Sequence, residues 1–337
     1  MIVFFLIGIL AISLFSFSLS AGFILLNAQI KPYDTSEKLK EEESAMPGMP
    51  TELTAHVRDP KIMTSLLAAK NRWYENPIEK LEQKSFDLKP IYADFWEYSK
   101  NPKATAILIH GHMDSARGMA YLAEEYHKRG FSVLSIDMRG HGRSKLKSSF
   151  GYKDAKDILL WIAFLQKKYN IDHKIIVHGV SMGSSSVLRL LSLKKAPANI
   201  ALAVVDSSFA SFQTQLKTQI DSLLPNKFFQ SFVKKLLLFG LSCSNFLMQG
   251  FFFFQHAPIQ YLKKRNKNRS KSIPILFFHG LKDSMVPVKN CEILFSLTNE
   301  PKKQILIDEA LHIGAYFYAP EKYMQEIEKF CTSCIIK

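Results

Sequence analysis

From residue 104 onward, short runs of β-branched and apolar residues alternate with stretches in which apolar positions recur every three or four residues. The first pattern describes a strand covered on both faces and the second a helix with one apolar side. Their alternation predicts a mostly parallel central sheet flanked by helices, an α/β fold. The runs place strands at 104–110, 131–137, 174–180, 200–206, 273–279 and 304–308, with helices at about 116–129, 153–169, 182–195, 287–298 and 320–332. Upstream, 84–88 and 91–98 read as a leading antiparallel pair. In open sheets of this kind ligands meet the carboxyl ends of the strands, so chemistry is expected there.

Two stretches break the alternation. Residues 2–30 carry no charged side chain, and the apolar run from Ile2 to Leu26 is long enough as a helix to cross a hydrocarbon core. An N-terminal transmembrane helix over 1–30 is the expectation. The alternative is a cleaved signal peptide, since Ser18, Ser20 and Ala21 resemble a small-residue cleavage site; against it, no Lys or Arg precedes the run, which is longer than such cores usually are. The polar, charged segment that follows suits a tether and N-terminal extension over 31–74, ahead of a main domain at 75–337. Acids and lysines are mixed after the apolar run, so charge says little about orientation; the reading adopted is a membrane protein with its catalytic domain outside the cytoplasm.

The second break is an insertion at about 207–262, largely helical in pattern and containing the uncharged run 236–254. A single membrane crossing there would leave the strands before and after it on opposite sides, and no common sheet would form. A helical lid over the strand ends fits instead.

Composition refines this picture. The chain has 337 residues, 47% hydrophobic, with a net charge of +14, which excludes a disordered, collagen-like or disulfide-stapled protein. Phenylalanine, at 26 residues, gathers in the first 25 positions and between Phe228 and Phe254. Positive charge is densest at Lys263, Lys264, Arg265, Lys267, Arg269 and Lys271. Without interleaved aromatics this run suggests a solvated loop or attraction to anionic lipid headgroups rather than nucleic acid. Cys331 and Cys334 form a C-x-x-C at the chain end, without the second pair a metal site wants or the strand-to-helix context a redox motif needs.

The candidate chemistry centres on Gly179-Val180-Ser181-Met182-Gly183, a G-x-S-x-G between a predicted strand and helix. A serine on such a turn is held out of the sheet, and its small neighbours let strand and helix approach. Serine needs a base to take its proton and an acid to orient that base. His312, in the loop between the last strand and last helix, is the candidate base; Asp283, after the preceding strand, is the candidate acid, with Asp206 its rival. His56, His127 and His173 read as surface residues, His178 and His279 as core or strand-end groups. An oxyanion needs two backbone donors. Met182 N–H is one candidate and His112 N–H the other, with Met113 in reserve.

These pieces, together with His110-Gly111, the stretch from Asp137 to Ser144 and Val286-Pro287, resemble the α/β-hydrolase superfamily, and within it the serine aminopeptidase-like group that includes monoacylglycerol-lipase-like enzymes. The resemblance covers residues 75–337 and implies the α/β-hydrolase fold, a Ser-Asp-His triad and a lid inserted between the sixth and seventh core strands. No cofactor and no metal are expected.

The expected function is a serine hydrolase cleaving a carboxylic ester, thioester or amide through an acyl-Ser181 intermediate, most simply an esterase or lipase-like enzyme for an apolar acyl substrate near a membrane. The alternatives are an aminopeptidase-like serine peptidase and an inactive membrane-tethered binding protein on a hydrolase fold. A further rival is His110-Gly111-His112-Met113-Asp114, an H-x-H-x-D like that of metallo-β-lactamase-type zinc hydrolases, although Ser115 stands where another histidine would follow.

Overall fold

The computed structural model describes residues 16–27, 31, 60–223, 227–267 and 273–335. These fall into two compact units, one drawn from residues up to 31 together with 210–257, the other from the remainder.

The larger unit carries an eight-stranded sheet: β1 (Glu79–Lys84), β2 (Pro90–Trp96), β3 (Thr105–Ile109), β4 (Ser132–Ile136), β5 (Ile175–Val180), β6 (Ile200–Asp206), β7 (Ile275–Gly280) and β8 (Lys302–Ile307). Their spatial order is β1-β2-β4-β3-β5-β6-β7-β8. β1 and β2 are antiparallel and β2 meets β4 antiparallel, while all pairs from β4 to β8 are parallel. The mostly parallel sheet is the one the alternating runs predict, and the whole is the α/β-hydrolase fold that the resemblance implies. One strand is shifted: β1 occupies Glu79–Lys84, not 84–88, because Ser85 to Lys89 make the turn, with Ser85 N–H bonded to the Lys89 carbonyl and Leu88 at φ 63°.

β3, β4 and β5 are buried throughout, and the alternation of side chains decides what covers each face. Ala106, Leu108, Val133, Ile176, Val180, Leu202, Val204, Leu276 and Phe278 join one apolar cluster with α2 (Pro60–Trp73), α3 (Ala120–Lys128) and α11 (Pro320–Ile335). Their neighbours Ile107, Ile109, Leu134 and Val177 point to the opposite face. There α4 (Asp154–Lys168), α5 (Met182–Leu191), α8 (Pro258–Lys267) and α9 (Lys289–Leu297) pack one on the next. α8 corrects the basic-loop expectation: Lys263, Lys264, Arg265 and Lys267 lie on a helix, with Arg265 buried and its guanidinium donating to the Ile273 carbonyl at 2.6 Å, while Arg269 and Lys271 lie outside the described residues.

The smaller unit pairs a helix over 16–27, here α1, with α6 (Phe212–Leu223) and α7 (Lys227–Gln249) from the insertion between β6 and β7. α1 and α7 meet through small residues. A methyl group on Gly22 would lie 2.6 Å from the Gly240 carbonyl carbon, and one on Gly240 would overlap the Ser18 backbone. Ser18 Oγ donates to the Leu236 carbonyl at 2.5 Å and Ser244 Oγ to the Leu19 carbonyl at 3.0 Å.

The predicted transmembrane helix over 1–30 is therefore represented by α1 alone; residues 1–15 and 28–30 lie outside the described residues, as do His56 and most of the 31–74 extension. Among the described residues no helix is long and apolar enough to cross a membrane. Cys331 is buried in α11, and the Cys334 side chain lies outside the described residues.

Candidate active site

β5 ends at Val180, and the turn into α5 is made by Ser181 at φ 52°, ψ −113°, a left-handed conformation costly for any residue with a side chain. It is held by the Ser181 N–H, which donates to the Asp206 carbonyl at 2.8 Å. The two flanking glycines are sterically required. A methyl on Gly179 would overlap the Gly183 carbonyl, and one on Gly183 the Ile109 carbonyl oxygen. Strand and helix thus touch backbone to backbone, and the hydroxyl stands clear.

The structure brings the three sequence-predicted side chains into one chain of hydrogen bonds. His312 Nε2 lies 2.9 Å from Ser181 Oγ, and His312 Nδ1 lies 2.8 Å from Asp283 Oδ2. Because an ionised carboxylate only accepts, Nδ1 carries the proton and Nε2 is left to accept from the serine. Asp283 is 4% exposed and His312 6%. Asp283 Oδ1 accepts the Val286 N–H at 2.8 Å, and its Oδ2 also faces His279 Nε2 at 3.3 Å. Burial would raise the Asp283 carboxyl, but the two imidazoles and their hydrogen bonds outweigh it and hold the group well below the usual carboxylate range. Burial likewise opposes charge on His279, yet Asp283 and Cys291 beside it hold the imidazole above its ordinary value.

Asp206, the rival acid, is committed elsewhere. Its Oδ1 accepts from the Ser207 hydroxyl and its Oδ2 from the Tyr323 hydroxyl, both at 2.8 Å. Since the Tyr323 proton goes to Asp206, the phenol oxygen accepts from His178 Nε2–H at 2.9 Å, and His178 Nδ1 accepts from Tyr126 at 3.1 Å. Burial pushes the His178 imidazole down to about 3, so it stays neutral, and burial raises the Asp206 carboxyl. Sequence reasoning missed Ser207. Its hydroxyl also receives the Ile313 N–H at 3.2 Å, tying β6 to the loop that carries His312. The only sequence signal was its place directly after a strand-end aspartate.

The candidate oxyanion loop follows β3. A methyl on Gly111 would sit 3.5 Å from Ser181 Cβ, so residues 111–113 run beside Ser181, with Met113 at φ 63°. His112, exposed on this loop, and Met182, the first residue of α5, are the residues whose N–H groups were assigned the oxyanion. The loop is fixed from β4: Ala116 N–H donates to Asp137 Oδ1 at 2.8 Å, and Ser135 Oγ donates to the Ala116 carbonyl at 2.7 Å. His110 Nε2 accepts the Met138 N–H at 3.0 Å while Nδ1–H donates to the Gly111 carbonyl at 2.6 Å, which leaves this imidazole no lone pair for a metal. The H-x-H-x-D pattern is accordingly not gathered as a ligand set; among the described residues no three His, Cys, Asp or Glu are grouped to hold an ion.

One of the histidines read as surface groups is not so, and a second is only partly exposed. His173 is buried, with Nε2 2.8 Å from Thr105 Oγ1, and His127 stacks on Trp96 at 3.7 Å between ring centroids. Both close the amino-terminal edge of the sheet and stand apart from Ser181.

Comparison with known proteins adds several similarities. The serine aminopeptidase S33 model matches residues 100–249. An uncharacterized Escherichia coli K12 protein, YfhR, is 26% identical over 216 residues, which span 63% of this chain and 65% of that protein's length. The thermostable monoacylglycerol lipase of Bacillus sp. H-257 is 25% identical over 236 residues, 66% of this chain and 87% of the lipase. Among solved structures, the esterase Pf2001 of Pyrococcus furiosus superposes with a TM-score of 0.58 at 20% identity, over 78% of this chain and 95% of the esterase.

Proposed function

We propose, from the premise that this chain belongs to the α/β-hydrolase superfamily, that it is a serine hydrolase acting through an acyl-Ser181 intermediate. The observation that carries the reading is the continuous relay from Ser181 Oγ to His312 Nε2 at 2.9 Å and from His312 Nδ1 to Asp283 at 2.8 Å. His312 takes the serine proton as Oγ attacks the substrate carbonyl, returns it to the leaving group, and then activates water to release the acid. Asp283 keeps the imidazole in the tautomer that presents a lone pair to serine and balances the imidazolium once it forms. The N–H groups of Met182 and His112 receive the oxyanion.

The bond is a carboxylic ester, and the acyl group apolar. Support comes from the names of the esterase and monoacylglycerol lipase relatives and from the phenylalanine-rich insertion between β6 and β7, which this reading takes as a lid. The uncharged run at 2–30 supports an N-terminal membrane anchor with the catalytic domain outside the cytoplasm. The serine aminopeptidase description of the matching family model supports a second reading, cleavage of an amide.

Ser181→Ala is expected to abolish labelling by a fluorophosphonate probe without changing the circular dichroism spectrum; persistent labelling would sink the nucleophile assignment. A series of p-nitrophenyl esters is expected to favour medium or long acyl chains over acetate. Aminoacyl amides turned over faster than any ester would transfer the function to the peptidase reading.

A further inference from the structure

In the smaller unit α1 and α7 meet through small and hydroxyl-bearing residues, and large apolar side chains stand on the outside. On α1 the buried face consists of Ser18, Gly22 and Leu26, spaced one helical turn apart, while Phe17 and Ile24 are 68% and 71% exposed. On α7 the buried side includes Gly240, Ser242, Ser244 and Asn245 beside Leu238 and Leu241, while Phe246 and Leu247 are 45% and 67% exposed. The polar groups inside are satisfied within the unit: the two serine-to-carbonyl bonds across the seam, Ser242 Oγ receiving Phe253 N–H at 3.0 Å, and Asn245 Nδ2 donating to the Phe251 carbonyl at 2.7 Å.

A helix pair in water gains by placing its largest apolar side chains at the seam and its small and polar ones outside. In lipid the preference reverses, since acyl chains are as apolar as leucine; small residues then allow close backbone contact and hydroxyls bond across the helices. The α1–α7 pair follows the second rule. The insertion's charge is mainly positive as well, with Lys217, Lys227, Lys234 and Lys235 in 210–257 against Asp221 alone, and exposed Lys235 stands one turn before exposed Phe239 on α7.

We propose that the outer face of α1 and α7 seats in an anionic lipid bilayer, its large side chains among the acyl chains and the α7 lysines at the phosphate headgroups. In this proposal α1 and α7 lie in the interface as one two-helix element. This deepens the membrane part of the reading above and is independent of the triad.

The test uses the full chain. Flotation with vesicles of phosphatidylcholine containing phosphatidylglycerol is expected to carry the protein, with weaker binding to phosphatidylcholine alone. Ile24→Asp with Leu247→Asp is expected to lower partitioning by about tenfold per side chain, with fluorophosphonate labelling unchanged. In a Cys243→Ser background, an environment-sensitive fluorophore on Leu247→Cys should be quenched by brominated lipid, whereas one on Tyr98→Cys should not. Unquenched fluorophore at 247, or a double variant that floats like the parent, would overturn the proposal by placing the attachment elsewhere in the chain. So would a protein that ignores vesicles and uses this face to form a dimer which the double variant dissociates. Lost probe labelling in the parent would refute the hydrolase reading and leave the flotation result to decide the surface.

Discussion

Ser207, directly after β6, and Ile313, in the loop that follows β8, both hold left-handed backbone, at φ 54° and 56°, and are joined by a hydrogen bond of 3.2 Å from the Ile313 N–H to the Ser207 hydroxyl. A β-branched residue pays steeply for that conformation, so the loop needs a fixed point. Among the described residues, six non-glycine positions have positive φ, and Met113, Ser181, Ser207 and Ile313 are four of them. The strain is gathered around one hydroxyl. Ser207→Ala and Ser207→Gly, which differ in backbone freedom but share the loss of the hydroxyl, are both expected to reduce kcat by on the order of 10- to 100-fold with KM little changed. A Ser207→Gly enzyme with parental kcat would show that the hydroxyl does not position His312.

Asp283 and Asp206 are expected to divide the orienting role from the scaffolding role. Asp283→Asn should lower kcat by on the order of 10³- to 10⁴-fold, because an amide facing Nδ1 favours the wrong tautomer. Asp206→Asn keeps an acceptor for Ser207 and should cost less than about tenfold. Steady-state kinetics on a soluble ester compares them directly, and the reverse ranking would exchange their assignments.

The glycines of the elbow give a folding prediction. Because an added methyl at Gly183 would meet the Ile109 carbonyl, and backbone on both sides has no side-chain slack, Gly183→Ala should destabilise the larger unit by about 3 kcal/mol or more. Gly111→Ala, whose methyl meets only ordinary contacts at 3.5 and 3.6 Å, should fold normally. Thermal unfolding of the two variants side by side tests the contrast.

The pH dependence of stability follows from Asp283. Its carboxyl is held below the ordinary value, so its ionised form stabilises the native state; that contribution is complete at neutral pH and fades as pH falls below about 4, toward the native-state value. In a Ser181→Ala background, adding Asp283→Asn should therefore cost most at about pH 7 and progressively less toward about pH 3. Urea denaturation across that range measures it, and a difference that grows on acidification would contradict the sign.

Much of this site was legible in the chain because its parts are local. The G-x-S-x-G pentapeptide fixes its own turn, and a histidine or aspartate in the short loop after a predicted strand inherits the strand's end as its address. Strand limits were legible to within two residues from β3 to β8 for the same reason: a buried run stops where polar turn residues begin. β1 was misplaced since Glu79–Lys84 is half exposed at the sheet edge and carries four charged side chains in six residues, so no apolar run marks it. The burial of His173 and the clamp by Ser207 depend on partners, Thr105 and Ile313, that are brought near only by the folded sheet.

The α1–α7 seam also sets an order of events during synthesis. The Ser18 hydroxyl and its acceptor at Leu236 are separated by 218 positions. At ribosomal rates of roughly 5 to 20 residues per second, the first helix emerges about 10 to 40 s before the helix that completes its seam. Throughout that interval its apolar side chains have no intramolecular partner of their own unit, and most of the sheet is made in the meantime. A nascent chain delivered early to a bilayer would spend the wait in a solvent that suits those side chains, and the larger unit would then fold while already tethered to the surface where its substrate is expected.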